Sequence, residues 1–156
     1  MSKNILSKIV LLVGIVLLGN NLIAQSKPKP KFKPPVVKTF FGGMRGTTDS
    51  VTIVTMQKLI DTTLQVVDAK GNIYPTTHFV FTFKRIGVVE NDSTGKVTPE
   101  SDLAAAEFTT TPLPDIWRKT IKETVVAGEE IHFSDIIVTD NKGNYFYAPD
   151  VKIAIR

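Results

Sequence analysis

Residues 78–84 read His-Phe-Val-Phe-Thr-Phe-Lys, an alternation with a period of two. Phe79, Phe81 and Phe83 fall on one face, and His78, Thr82 and Lys84 on the other. A segment of this kind calls for a sheet that packs one face on a core and leaves the other toward water. Each phenylalanine, fully buried, is worth roughly 1.5–3 kcal/mol. The C-terminal segment Asp150–Arg156 repeats the pattern, with Val151, Ile153 and Ile155 inward. Its charged outward positions predict an exposed or edge strand. Residues 63–67 and 131–138 are rich in β-branched side chains and predict further strands. In the second, Ile131 and Phe133 share one parity while Ile136 and Val138 take the other, which a bulge near Ser134-Asp135 reconciles.

The chain of 156 residues suits one domain, or one domain plus a tail. With 42% hydrophobic and 22% charged residues it lies near ordinary globular values. It contains no cysteine, which excludes disulfide scaffolds, thiolate metal sites, cysteine nucleophiles and a lipidated N-terminal cysteine. The formal charge of +4 is unevenly placed. Residues 1–24 contribute +2 and residues 25–38 contribute +5, whereas residues 39–156 hold 12 basic and 15 acidic side chains, a net of −3. The part expected to fold is therefore mildly acidic, which argues against nucleic-acid binding despite a basic average.

Lys3 and Lys8 precede the apolar run Ile9–Leu18, and Leu22-Ile23-Ala24-Gln25 follows Asn20 and Asn21. This arrangement predicts a signal peptide cleaved after Ala24 and export to the periplasm or beyond. The competing expectation is an uncleaved anchor, for which the run is short of the ~20 residues a spanning helix wants. Residues 25–38 form a Pro/Lys-rich linker. Its prolines and repelling lysines predict a stiff polyproline II arm. Lys27, Lys29, Lys31 and Lys33 make it either a solvated spacer or an electrostatic tether to an anionic surface.

Within residues 39–156, Asp68-Ala69-Lys70-Gly71-Asn72 and Asp140-Asn141-Lys142-Gly143-Asn144 read as two similar hairpin turns. One helix is expected from about Pro112 to Thr124, capped by Thr111 and ended by Ala127-Gly128. Its apolar stripe pairs Trp117 with Ile121 and Ile116 with Thr120. A shorter helical turn is expected at Met56–Ile60. Gly42-Gly43, Glu90–Gly95 and the stretch running to Ala104 read as loop. The fold class these elements predict is all-β, an Ig-like β-sandwich with one crossover helix near residues 112–124.

Reactive constellations are sparse. His132 and Asp135 would point to opposite faces of a regular strand, and His78 lies on a polar face. No nucleophile elbow, phosphate loop or zinc-protease helix occurs. Glu129-Glu130 reads as a loop or solvated strand end, and Asp92 and Asp102 bracket a polar loop without calcium-loop spacing. The expectation is no catalytic residue, no cofactor and no metal. Trp117 reads as core. In Tyr145-Phe146-Tyr147 either the two tyrosines or the phenylalanine must face outward, and exposed aromatics are typical partner anchors. Tyr145 and Tyr147, with the four arm lysines, are the candidate partner-binding residues.

An ordered series runs through the body: Phe40-Phe41-Gly42-Gly43, then Lys58-Leu59-Ile60, then the strand at Phe79–Phe83 and the helix after Thr111. Ala127-Gly128-Glu129-Glu130-Ile131-His132-Phe133-Ser134-Asp135-Ile136, the second Gly-Asn turn and Ala148-Pro149-Asp150-Val151-Lys152-Ile153 complete it. Over residues 40–156 this resembles the C-terminal domain of GldM, the periplasm-spanning component of the gliding motility and type IX secretion machine. The resemblance implies a periplasmic β-sandwich adaptor that contacts an envelope or secretion-system protein. GldM's shaft domains have no counterpart in this sequence, so force transmission is not carried over. An envelope-surface or carbohydrate-binding accessory protein, using the basic arm and exposed aromatics, is the alternative. A hydrolase whose site gathers distant residues is a third.

Overall fold

The structure, a computed structural model, describes residues 31–45 and 49–156. The expected signal peptide, Lys27 and Lys29 lie outside the described residues. Lys31 and Lys33 are exposed in chain without regular structure. The compact body begins at Pro34. Its first strand, β1 (Val37–Phe41), starts inside the segment expected to be linker, because Val37 is already buried.

The body is an all-β sandwich with two helices among the described residues. A four-stranded sheet has the order β2-β1-β4-β5, with β2 Met44–Arg45, β4 Leu64–Asp68 and β5 Ile73–Tyr74. A larger sheet has the order β3-β10-β8-β6-β7. Here β3 is Asp49–Val51, β6 Thr76–Asn91, β7 Lys96–Phe108, β8 Glu130–Thr139 and β10 Val151–Ile155. The short β9 (Tyr145–Tyr147) also pairs with β8. Strands β7 and β8 are both antiparallel to β6, so they run parallel to each other. Consecutive strands that run parallel on either side of β6 need a crossover, and the connection that carries helix α2 (Asp115–Thr124) supplies it. Among the described residues, no helix is long and apolar enough to cross a membrane.

The core sits where the alternation places it. Phe79, Phe81, Phe83, Ile131, Phe133, Val151, Ile153 and Ile155 are all buried on one face of the larger sheet. Phe133 reaches across to Phe41 of β1, with ring centroids 4.6 Å apart. It also meets Phe81 at 5.1 Å and Phe79 at 5.6 Å. Helix α2 covers the rest of that face, with Trp117 edge-on to Phe81 at 5.4 Å. The bulge in β8 is present. Val80 pairs with Ser134 and His78 with Ile137, so one extra residue is accommodated and Asp135 takes a φ of +50°. Both halves of the strand thereby turn their apolar side chains inward. Gly42 and Gly43 make the β1–β2 hairpin with φ of +58° and +83°. A side chain at Gly42 would also lie 2.2 Å from Leu59 Cδ2.

Several expectations need correction. The stretch from Glu90 to Ala104 is almost all strand: β6 extends to Asn91, and β7 begins at Lys96. Alternation is weak there because both faces of the distal hairpin meet water, so backbone pairing rather than burial holds it. The final strand is not an edge, since β3 pairs with it in parallel. Its charges instead decorate the solvent face, where Lys152 meets Glu130 at 2.8 Å. The long helix begins at Asp115, not Pro112, and has no side-chain cap. Thr111 uses its hydroxyl to accept the Leu64 N–H at 2.9 Å, fastening the loop to β4. The helix also ends at Thr124, and Gly128 (φ +93°) shapes the turn before β8 instead. The shorter helix α1 runs from Ile53 to Leu59 behind a Thr52 cap, one turn earlier than expected.

Candidate functional site

The four-stranded sheet and α2 both pack on the Phe81–Phe133 face of the larger sheet, and no element covers its other face among the described residues. Strand β9, paired with β8 in that sheet, presents alternate side chains to its two faces. Phe146 is buried and packs edge-on against Tyr74 at 5.3 Å. That contact fixes the strand's parity, so Tyr145 and Tyr147 turn out to solvent, 67% and 70% exposed. Of the two arrangements the sequence allowed, the outward tyrosines are therefore the one adopted. Tyr147 lies opposite Ile137, which in turn lies opposite His78, and Tyr145 lies opposite Thr139. The patch is a shallow row of aromatic, aliphatic and imidazole groups on a rigid ladder.

The two Gly-Asn turns share one hydrogen-bond scheme. Asp68 Oδ1 accepts the N–H groups of Lys70 (2.8 Å) and Asn72 (2.9 Å), and its Oδ2 accepts Asn72 Nδ2 (2.8 Å). Asp140 does the same with Lys142, Asn144 and Asn144 Nδ2 at 2.8, 2.9 and 2.8 Å. Gly71 and Gly143 supply φ of +84° and +78°. Both turns border a groove of about 590 Å³, lined by Pro35, Tyr74, Pro75 and Lys142 among others.

These hydrogen bonds favour the ionised acids. The Asn72 side chain, then the Asn72 and Lys70 amides and the Tyr74 hydroxyl, bring the Asp68 carboxyl down to about 2, against partial desolvation. Asp140 is lowered in the same way, chiefly by the Asn144 side chain. Burial, followed by the neighbouring Asp68, pushes Tyr74 up. A carboxyl depressed on folding stabilises above its unfolded value near 3.9 and loses that contribution as pH falls through its folded value. The thermal midpoint is therefore expected to decline between about pH 4 and pH 2. Asp68→Asn should lower it at pH 7 and flatten that slope. A slope unchanged by the substitution would contradict the assignment.

The remaining candidates are placed as follows. His132 Nε2 lies 3.4 Å from Asp150 Oδ2, and Asp135 is at the exposed bulge. His78 is half-buried in the outer row. Asp102 pairs with Arg85 on the neighbouring strand. No group of three or more His, Asp and Glu side chains gathers to hold a metal among the described residues. Trp117 packs on the core side, edge-on to Phe108 as well, but Ile116 is 70% exposed and does not join the helix's buried stripe. The step of about 100° per residue between Ile116 and Trp117 sets Ile116 off that stripe.

Glu129 departs most from its expected place. It is only 3% exposed, and the Ile86 and Val126 N–H groups donate to its two carboxylate oxygens at 3.3 and 2.9 Å. It closes the end of the β6–β8 ladder, which stops at Lys84 and Glu130. Sequence reading also missed the ribbon that continues beyond it. Ile86, Val88, Val97 and Leu103 share one face of the hairpin and are all exposed. The β-branched dipeptide Val88-Val89 was the available signal.

Comparison with known proteins adds no relative: no protein-family model and no curated protein matches the sequence.

Proposed function

We propose that this chain is an exported, non-enzymatic protein-binding module, akin to the GldM tip domain, that engages a component of the cell envelope or secretion apparatus through the outer face bearing Tyr145 and Tyr147. One observation carries the reading. Two tyrosines stand exposed on a sheet face that no element covers among the described residues, although each is large enough to be worth burying. Tyrosine on a rigid strand offers contact area at small entropic cost and is enriched in binding hot spots. The export part of the proposal rests on the N-terminal sequence, and the GldM part on the residue order of the body.

The test is retention of envelope proteins by the immobilised protein. Tyr145→Ala/Tyr147→Ala should lose the retained chain while its thermal midpoint stays near that of the parent, because exposed substitutions usually change stability by less than about 0.5 kcal/mol. Undiminished retention by the double variant would overturn the reading. Retention of cell-wall polymer instead, falling steeply with salt, would favour the accessory-protein alternative that uses the lysine arm.

A further inference from the structure

Strand β7 ends the larger sheet, and its 13 residues present an open edge over their whole length among the described residues. Edges of this kind are ordinarily blunted by lysine, proline or a covering element. Here Pro99 interrupts only the distal part. From Glu100 to Phe108 there is no proline, glycine or lysine, and three consecutive alanines, Ala104, Ala105 and Ala106, keep the approach clear. The neighbouring ribbon has reason to accept another strand. Beyond Lys84 it loses β8 and is two-stranded, an arrangement that is marginal alone.

A second feature lies beside the same edge. Phe83, Arg85 and Ala104 of the hairpin and Ile116, Trp117 and Thr120 of α2 enclose a notch of about 170 Å³, mostly apolar. It exists because residue 104 is an alanine and because Ile116 stands out from the helix. Strand β7 is also acidic, one lysine against three acids, a net of −2. Asp102 is neutralised by Arg85, whereas Glu100 and Glu107 have no ion pair among the described residues. The cations of α2 do not compensate for this. Arg118 is held by Asp61 and Asp115, Lys122 by Asp61, and Lys119 lies 4.0 Å from Glu123.

We infer that the β7 edge takes an extended segment of a partner protein as an added strand, with an aliphatic side chain in the Ala104–Trp117 notch and basic side chains against Glu100 and Glu107. Main-chain pairing supplies the affinity in this mode, and the notch and the two acids supply the selection. The inference rests on the protein-binding reading but uses a different surface from the tyrosines.

A probe follows from the register. Opposite residues 107 to 100, an antiparallel segment wants basic ends and aliphatic residues facing Ala104 and Leu103. The peptide acetyl-Lys-Thr-Thr-Leu-Val-Thr-Thr-Lys-amide meets that demand. Added to the full chain, it should shift the amide resonances of residues 100–107 and the Trp117 indole, and slow β7 amide exchange. A version with glutamate in place of both lysines should bind about tenfold more weakly. A backbone N-methylated version has the same charge but no donors, and should not bind. Ala104→Trp, which fills the notch, and Ile116→Asn, which removes an exposed wall without disturbing the core, should each weaken the peptide.

Equal binding by the N-methylated peptide, shifts confined to other surfaces, or no binding would each overturn the inference. Envelope retention lost only in the tyrosine variant would then leave the protein-binding reading standing without it.

Discussion

Phe133→Ala should destabilise the protein by about 3–5 kcal/mol and lower its thermal midpoint by more than about 10 °C. The ring is fully buried at the point where the two sheets meet, within 4.6–5.6 Å of Phe41, Phe79 and Phe81. Truncation removes apolar contact from three neighbours on two sheets at once. None of them can close the gap alone, because each is fixed by its own strand ladder. Urea unfolding measures the loss directly. Phe133→Leu, which keeps most of the volume, should cost far less, and equal losses in the two variants would argue that the cavity is not the cause.

Glu129→Ala is expected to cost about 2–4 kcal/mol through a different mechanism. Removing the carboxylate orphans the Ile86 and Val126 N–H groups in a site that water does not reach freely. The loss should be local before it is global. Amide exchange at Ile86 and Val126 should accelerate first, and the hairpin beyond Ile86 should follow, since its root is tied to β8 there. Glu129→Gln retains one acceptor and should lose less. A neutral Glu129→Ala would mean that the carboxylate is incidental to the ladder's end.

The two sites differ in how far the sequence reveals them. Phe79, Phe81 and Phe83, like Val151, Ile153 and Ile155, are legible because burial on one face writes a period of two into the chain. The β8 bulge is legible for the same reason, as a change of parity between Phe133 and Ile136. Strand β7 carries no such pattern, because Val97, Ser101 and Leu103 are exposed and only pairing with β6 defines them. Glu129 is hidden for another reason. Its partner Ile86 lies 43 residues away, and no local rule links a carboxylate at one turn to an amide on a distant strand.

Non-local contacts also explain the misplaced helix start and the final strand. Thr111 would suit a cap, but Leu64 competes for its hydroxyl. Val151–Ile155 has the charges of an edge, but β3, from the beginning of the body, pairs with it. For the tyrosines, the alternation limited the choice to two arrangements, and the contact of Phe146 with Tyr74 decided between them.

Photocrosslinking in growing cells tests the central claim most directly, with a photoreactive residue placed in turn at Tyr145, at Tyr147 and at Gln65, an exposed position on the other sheet. The same envelope chain should be captured from both tyrosine positions and not from Gln65. Capture of nothing from the tyrosine positions, or of the same chain equally well from Gln65, would contradict a binding face on the larger sheet.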